Sequence, residues 1–371
     1  MVRPFPECEG RAGGSGLLSV WARALLLLSV LSAPLVGQPY EALVVKGRHL
    51  NGRSSDSVKD ILESHLGLSV GTVRLEDLAS ADFTGVRVLY MPGMTYLKVA
   101  PPEGAGANLR RAVAKGMGYI GTCGGSIIAS ELSGNASREQ YGEWPTFGLF
   151  PGLQTFDSER GMRPYHFEMK HPIVARSSVA AEITPVFEIE VNGGPGNYIP
   201  NEDSLPGLVH WVVAWHSEYQ TQEKSPRPAV TATLLGKGRV FLSSPHPERS
   251  YIPKTHCVIK MAAEWCVGRL DPAENQPPTV VDTVPEAGRV GEGLVFSAAG
   301  SDDPEGFPIG FTWDFGDGSR RVYTPRATHS FSAKGTHTVT LTVTDGKDET
   351  VRTRRVTVGT PGDVVLLPDR R

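Results

Sequence analysis

A cysteine and a distant histidine–glutamate pair are the residues of this chain whose types could form a nucleophilic site. Cys123 lies in the glycine-rich segment Tyr119–Ser126, and His246 and Glu248 stand two positions apart far along the chain. A thiol attacks a carbonyl carbon once a neighbouring imidazole has taken its proton, and a carboxylate behind the imidazole fixes the ring tautomer. These three side chains therefore predict a catalytic Cys-His-Glu site.

The residues around the cysteine predict a tight turn between a strand and a helix. Gly121, Gly124 and Gly125 leave room for such a turn, and a helix is expected from position 124 to Leu132. The first amides of that helix would favour the thiolate, and the amides of Gly124 and Gly93 would bind an oxyanion. The alternative is a glycine-rich turn around an inert cysteine.

The spacing of His246 and Glu248 favours cooperation between them. Residues two apart in an extended segment point to the same side, so Glu248 can stabilise the imidazolium while His246 faces the thiol. Pro245 and Pro247 restrict the backbone on both sides of the histidine. The alternative is an exposed loop histidine with a glutamate nearby by chance.

Length, composition and charge describe a globular protein rather than a polyanion-binding one. The chain has 371 residues, of which 40% are hydrophobic and 21% charged, and its formal net charge is −3. It is long enough for two domains. Nucleic acid is not an expected partner, because the chain offers neither a basic field nor a long run of Lys and Arg.

Residues 1–37 are expected to be a secretory leader. Arg23 precedes the apolar stretch Ala24–Ala33, and Gly37 supplies a small residue at the expected cleavage point. The stretch is shorter than the ~20 residues that span a bilayer, so cleavage is favoured over a retained anchor. The mature protein is expected to be secreted or held in the periplasm or cell envelope, without a membrane span.

Cleavage would leave three cysteines, of which two are predicted to be core residues. Cys257 and Cys266 fall in one helical pattern, where their offset turns them to opposite faces about 13 Å apart. A disulfide needs Cα atoms within about 7 Å, so this pair cannot form one. Cys123 is thus left without an evident structural partner.

Residues 38–270 are predicted to form one α/β domain. Short apolar runs alternate with amphipathic stretches, which is typical of a parallel sheet with helices on both faces. The predicted elements are strands at Ala42–Val45, Val86–Met91 and Gly118–Ile120 and helices at Ser54–Leu66 and Asn108–Lys115. The first helix is expected to have a Ser or Asp cap and an apolar stripe of Val58, Ile61, Leu62 and Leu66.

The second half of this domain is richer in strands. Strands are predicted at Val186–Val191, Val209–Trp215, Ala229–Leu235 and Val240–Ser244, with a hairpin-like turn at Gly236–Arg239. Gly193 and Gly194 are predicted to form a structural or substrate-facing turn, because their loop lacks the Lys-Ser/Thr of a phosphate-binding loop.

The composition changes after the α/β domain. A polar, proline-rich linker is expected at 271–278, followed by a small all-β domain at 279–359 and a C-terminal tail at 360–371. Val339–Val343 alternates apolar residues with threonine, which is typical of a strand buried on one face. Such short strands favour a small β-sandwich.

Four motifs follow one another in residues 40–268. They are Tyr90–Gly93, Gly121–Ser126, Val191–Pro195 and Pro245–Glu248. Together they resemble the class I glutamine amidotransferase-like superfamily, and within it the domain at the N-terminus of some biotin-protein ligases, the BPL_N type. The resemblance implies a flavodoxin-like parallel sheet flanked by helices, with Cys123 as nucleophile, His246 as base and Glu248 as its orienting acid.

One position departs from the amidotransferase pattern. Ile127 stands where the family has the glutamine that contacts substrate, and no ammonia-accepting synthetase domain accompanies it. Glutamine amidotransfer is therefore not expected. Two functions stay open: a thiol hydrolase acting on an amide or peptide-like bond of an extracellular peptide or glycan, and a non-catalytic extracellular binding or cell-surface protein.

Three C-terminal segments resemble those of a PKD domain, an immunoglobulin-like sandwich of extracellular proteins. They are Phe311–Ser319, His329–Phe331 and Gly335–Asp345. The resemblance implies that Trp313 and Phe315 anchor the core of this domain, and that the domain serves as a spacer or holds substrate.

No metal and no cofactor is predicted. Zinc-ligand spacing is missing from the histidines His166, His171, His210 and His216. The acids that could collect calcium are Asp302, Asp303 and Asp317, for which solvated turn positions are the favoured alternative.

Overall fold

The computed structural model describes residues 39–94, 99–135, 140–141, 146–156, 160–192, 195–198, 211–217 and 228–360. The expected leader, nearly all of the expected tail and the predicted turn at Gly193 and Gly194 lie outside the described residues. Within the described part, every helix is too short or too polar to cross a membrane.

The N-terminal part of the chain alternates strands and helices before it becomes mostly strand. Its strands are β1 Ala42–Lys46, β2 Val70–Arg74, β3 Val88–Met91, β4 Gly118–Thr122, β5 Ser130–Asn135, β6 Gln140–Tyr141, β7 Phe150–Phe156, β8 Arg160–Phe167, β9 Val186–Asn192, β10 Pro195–Tyr198, β11 Val212–His216, β12 Pro228–Leu235 and β13 Gly238–Ser243. Its helices are α1 Gly52–Leu66, α2 Ala105–Ala114, α3 Gly124–Ile127, α4 Pro172–Ala175 and α5 His256–Cys266.

One nine-stranded sheet organises this part, in the order β2-β1-β3-β4-β13-β12-β11-β8-β9. The first five strands are parallel to one another. The last four extend the sheet in antiparallel pairing, and the predicted hairpin turn joins β12 to β13. The expected parallel sheet therefore accounts for one half of the observed one.

The parallel strands are buried on both faces. In β1, Ala42 and Val44 join one hydrophobic cluster, while Leu43 and Val45 join another. Successive side chains of a strand point to opposite faces, so the two clusters lie on the two sides of the sheet. A strand in this position needs a continuous apolar run, which is the pattern that predicted it.

Helix α1 brings a polar residue to the predicted Cys-His-Glu site. Its apolar stripe from Val58 to Leu66 is buried as predicted, but the helix begins at Gly52 rather than at the predicted Ser54. The cap is Asn51, whose side chain accepts a hydrogen bond from the Ser54 amide at 3.2 Å. A cap other than the predicted Ser or Asp leaves the hydroxyl of Ser54 available for a contact outside the helix.

The C-terminal part of the described chain is all-β. Its strands are β14 Ala287–Arg289, β15 Leu294–Ser297, β16 Gly310–Asp314, β17 Arg326–His329, β18 Gly335–Thr344 and β19 Glu349–Gly359. They form one sheet in the order β14-β19-β18-β16 and a second sheet of β15 and β17. Trp313 and Phe315 are buried in the cluster between them, as predicted, and Val339, Leu341 and Val343 contribute one face of β18.

Candidate active site

Cys123 occupies a strained turn directly after β4. Its backbone angles are φ 49° and ψ −120°, a conformation that costs a residue with a side chain about 1–3 kcal/mol. The glycine-rich sequence predicted such a turn, and the thiol within it is 6% exposed. Strain of this kind persists only where the surrounding structure holds it.

The helix after the cysteine is shorter than predicted. It ends at Ile127 instead of Leu132, because the chain turns there and enters β5. The Ser130 hydroxyl donates to the Ile127 carbonyl, and the Ala129 carbonyl accepts the amides of Leu149 and Phe150. The prediction of a longer helix was wrong because these strand contacts outweigh the helical pattern.

Gly93, after β3, packs against both predicted catalytic side chains. A Cβ added there would lie 2.6 Å from Cε1 of His246 and 3.3 Å from Cβ of Cys123. Real Cβ atoms do not approach other atoms to 2.6 Å. This position therefore requires glycine, and the close approach brings the ends of β3 and β4 together with His246.

His246 and Glu248 form the buried pair that their spacing predicted. Nδ1 of His246 donates to Oε1 of Glu248 at 2.8 Å, and the two residues are 3% and 0% exposed. The His246 amide donates to the Glu190 carbonyl at 2.7 Å, and the Thr255 hydroxyl donates to the Pro247 carbonyl at 2.8 Å. The alternative of an exposed loop histidine is excluded by this burial.

The charges of the site favour an imidazolium–carboxylate pair. Burial acts to lower the pKa of His246, but the charges of Cys123 and Glu248 and hydrogen bonds to both raise it to about 10. Burial acts to raise the pKa of Glu248, but His246 and a hydrogen bond from Ser54 hold it below its ordinary value. The surroundings of the imidazole therefore favour its protonated form, with Cys123 and Glu248 as its charged neighbours.

Two further hydroxyl groups surround this pair, and sequence reasoning missed both. The Ser54 hydroxyl donates to Oε1 of Glu248 at 2.7 Å, across 194 positions of sequence. The Tyr90 hydroxyl hydrogen-bonds Oγ1 of Thr122 at 2.8 Å. Burial and the charge of Glu248 raise the pKa of Tyr90 well above its ordinary value, so the phenol stays neutral.

A weak sequence signal for Ser54 exists. Ser54, Val58 and Ile61 share one helical face, so a serine continues an otherwise apolar stripe. A polar residue in that position must bond to something buried. The pattern could have predicted a buried partner but could not have identified Glu248.

A cavity of about 340 Å³ opens beside Glu248. Ser54, Glu190 and Arg249 contribute to its wall. Asn192, the last residue of β9, also lines it, and the predicted substrate-facing glycines 193 and 194 follow directly in sequence. The structure therefore describes the approach to these glycines but not the glycines themselves.

Cys257 and Cys266 are core residues of α5, as predicted. Both are buried free thiols. Burial raises the pKa of Cys257 to about 11 and that of Cys266 to about 12, so both remain protonated.

The residues considered for metals have other contacts. His171 caps α4 by accepting the Ile173 amide at 3.2 Å. Asp317 pairs with His329 at 2.8 Å, and Asp303 accepts the amides of Glu305 and Phe307. Across the described ranges, His, Cys, Asp and Glu side chains form no group of three suited to a metal ion. His210 lies outside those ranges.

Comparison with known proteins places the C-terminal part in a family. Residues 275–359 match the PKD domain family. A microbial collagenase of Vibrio alginolyticus is 38% identical over 95 residues, which are 25% of this chain and 12% of the collagenase. Collagenase ColQ1 of Bacillus cereus strain Q1 is 39% identical over 77 residues, which are 21% of this chain and 8% of that enzyme.

Some solved structures are also similar to this chain. The PKD1 domain of Vibrio anguillarum Epp is 31% identical, covers 24% of this chain and 100% of its own, and gives a TM-score of 0.20. A protein described as ThuA-like from Bacteroides uniformis is 11% identical, covers 68% of this chain and 96% of its own, and gives a TM-score of 0.42.

The C-terminal part is thus a PKD domain with a β-sandwich fold. The collagenases match this chain in that domain alone. The chain spans only a small share of the length of these relatives.

Proposed function

We propose that the α/β part of this chain is a cysteine-dependent hydrolase of an amide-type bond and that the PKD domain is its binding or spacer module. One observation carries the proposal: a buried His246–Glu248 pair lies against Cys123, which is held on a strained turn. A thiol, an imidazolium and an orienting carboxylate are the groups that thiol hydrolases use.

The proposed reaction passes through an acyl-enzyme. The sulfur of Cys123 bonds to the carbonyl carbon, the carbon–nitrogen bond breaks, and His246 gives its proton to the leaving amine. Water then attacks the thioester as His246 takes its proton, the carbon–sulfur bond breaks, and a carboxylic acid leaves. Glu248 stays ionised throughout and keeps Nδ1 of the ring bonded.

The order of the parallel strands supports a flavodoxin-like sheet of the glutamine amidotransferase type. The five parallel strands lie in the order β2-β1-β3-β4-β13. When β13 is counted as the fifth parallel strand, this order is 2-1-3-4-5, which is that of flavodoxin. Gly93, Cys123 and His246 follow the carboxyl ends of β3, β4 and β13, which are neighbours in the sheet. Open α/β sheets bind their ligands at this edge.

The glycines near the thiol have proposed roles in binding. The amides of Gly93 and Gly124 would hold the oxyanion, since Gly93 touches Cys123 and Gly124 follows it. Gly193 and Gly194 would face substrate beside the cavity that Glu248 lines. Ile127 is buried, and its apolar side chain offers no hydrogen bond to a glutamine substrate, so hydrolysis is favoured over amidotransfer.

The proposed site of action is outside the cell. PKD domains and the matching bacterial collagenases suggest an extracellular protein, in agreement with the expected leader. The substrate class is then an amide of an extracellular peptide or glycan. No cofactor is needed for this reaction.

Turnover by matched cysteine variants tests the proposal. Wild type, Cys123→Ala and Cys257→Ala are compared for amine release from a set of peptide amides and N-acylated amino sugars. Wild type and the Cys257 variant should release amine, and Cys123→Ala should not, because Cys257 is a core thiol away from the site. If Cys123→Ala releases amine as fast as wild type, Cys123 is not the nucleophile and the proposal is wrong. If wild type releases no amine from any of these substrates, the non-catalytic binding protein is the better account.

A further inference from the structure

Ser54, in helix α1, bonds to the carboxylate of Glu248, although the two residues are 194 positions apart in the sequence. Its hydroxyl donates to Oε1 of Glu248 at 2.7 Å, and the same oxygen accepts Nδ1 of His246 at 2.8 Å. Ser54 is 2% exposed and Glu248 is fully buried. Because one oxygen holds both bonds, the hydroxyl fixes the direction in which the carboxylate meets the imidazole.

We propose that Ser54 is a positioning residue of the site, which keeps Glu248 ionised and oriented so that His246 can serve Cys123. This inference rests on the function proposed above. It adds a fourth side chain, from α1, to the three that the sequence predicted.

The helix itself does not need this hydroxyl. Asn51 already caps α1 by accepting the Ser54 amide. The next hydroxyl, that of Ser55, donates to the Val45 carbonyl at 2.7 Å and so ties α1 to β1. The contact of Ser54 is therefore directed to the site, whereas the contact of its neighbour is structural.

The carboxylate depends on few donors. Oε2 of Glu248 has no hydrogen-bond partner among the described residues. The charge of His246, hydrogen bonds from His246 and Ser54, and a backbone bond of Glu248 itself hold its pKa below the ordinary value against the effect of burial. Loss of Ser54 removes one of these few contributions.

Several other titratable or charged groups lie near Glu248 and also influence its pKa. Tyr90 of β3 and Tyr251, three residues after Glu248, both interact with the charge of Glu248. Arg53 and Arg249 line the cavity beside it, together with Glu190. None of these groups changes in the variants below, so a shift between variants reports Ser54.

Nitrogen-15 NMR of histidine-labelled full chain tests the proposal without requiring turnover. The ring-nitrogen shifts of His246, assigned by their absence from His246→Gln, are followed as the pH is lowered. Protonation of Glu248 breaks its bond to Nδ1 and changes these shifts. In Ser54→Ala this change should occur about one pH unit higher than in wild type, since a hydrogen bond to a charged group is lost.

Ser55→Ala is the matched control. It removes a buried hydroxyl bond from the adjacent position of the same helix, and its His246 shifts should follow wild type. If Ser54→Ala does not fold, Ser54→Cys keeps the volume with a weaker donor and should shift the midpoint in the same direction.

Coincidence of the Ser54 variant with wild type overturns the proposal, as does an equal shift in Ser55→Ala. Failure of the proposed hydrolase would give a different result. Wild type would then release no amine, while the pH at which the His246 nitrogen shifts change would still depend on Ser54.

Discussion

At the scale of residues, the site combines a strained thiol with a charged pair. Cys123 has a backbone conformation that is rare outside glycine, and His246 and Glu248 are buried beside it. Against the effect of burial, the charge of Cys123 and then that of Glu248 raise the pKa of His246 to about 10, and the charge of His246 lowers the pKa of Glu248. Both neighbours of the ring therefore favour an imidazolium at the candidate site.

This pair makes stability depend on pH. The folded-state pKa of His246, about 10, lies above the ordinary value of 6.5. The contribution of the imidazolium to stability is therefore complete below the unfolded pKa and is lost as the pH rises towards the folded one. Urea unfolding of wild type and His246→Gln should show a difference that is largest just below the ordinary pKa of 6.5 and shrinks as the pH rises through neutral towards 10.

The same experiment has a clear negative outcome. A difference in free energy of unfolding that stays constant from neutral to alkaline pH would mean that His246 is not held as an imidazolium in the folded protein.

At the scale of elements, three strand ends and one helix build the site. The ends of β3, β4 and β13 supply Gly93, Cys123 and His246, while α1 supplies Ser54. The turn at Cys123 could be predicted from the sequence, because the glycines around it indicate a backbone that has no room for side chains. Helix α3 was predicted too long, because the pairing of the following segment depends on strands far away in sequence.

Ser54 shows the limit of sequence reasoning most plainly. The His246-x-Glu248 spacing is local, and the structure joins the two side chains as the spacing predicted. The bond from Ser54 to Glu248 spans 194 positions, and no short pattern encodes it. In the antiparallel half, several strands and the hairpin turn were predicted, but the order in which the strands pair was not, since pairing order is not a local property.

The end of β3 gives a prediction at this scale. In Gly93→Ala the new Cβ would lie 2.6 Å from Cε1 of His246, so the ring must shift from its position beside Cys123. Misplacement of a catalytic group by about 1 Å can cost about 100-fold in rate, and turnover should fall by that order. Gly52→Ala is the control, because nothing lies within 4 Å of a Cβ added there.

Both variants should remain folded by circular dichroism. Wild-type turnover in Gly93→Ala would contradict the close packing of this loop on His246.

At the scale of the whole molecule, the PKD domain packs on the α/β part through a buried arginine. Arg239 of β13 donates to the Trp265 carbonyl at 2.8 Å and to Oδ1 of Asp271 at 2.6 Å. It also reaches the Asp345 carbonyl of the PKD domain at 3.5 Å. Phe307, just before β16, joins the hydrophobic cluster of the α/β part.

This contact predicts coupled stability. Arg239→Ala leaves the Trp265 carbonyl and the Asp271 carboxylate without this donor. It should lower the free energy of unfolding by about 3–5 kcal/mol. Lys237→Ala, which breaks the exposed pair with Glu349 at 3.3 Å, should cost about 0–1 kcal/mol. Urea unfolding followed by tryptophan fluorescence compares the two, and equal losses would contradict the structural role of Arg239.

Alkylation of Cys123 by iodoacetamide tests the central claim most directly, because it needs no substrate. At mildly acidic pH an ordinary thiol, with a pKa of about 8.5, reacts slowly. Wild-type Cys123 should label about tenfold faster than the same cysteine in His246→Gln, since the imidazolium stabilises the thiolate. Cys257 and Cys266, whose thiols stay protonated, should remain unlabelled. Equal, slow labelling of Cys123 in wild type and His246→Gln would contradict an activated nucleophile at this site.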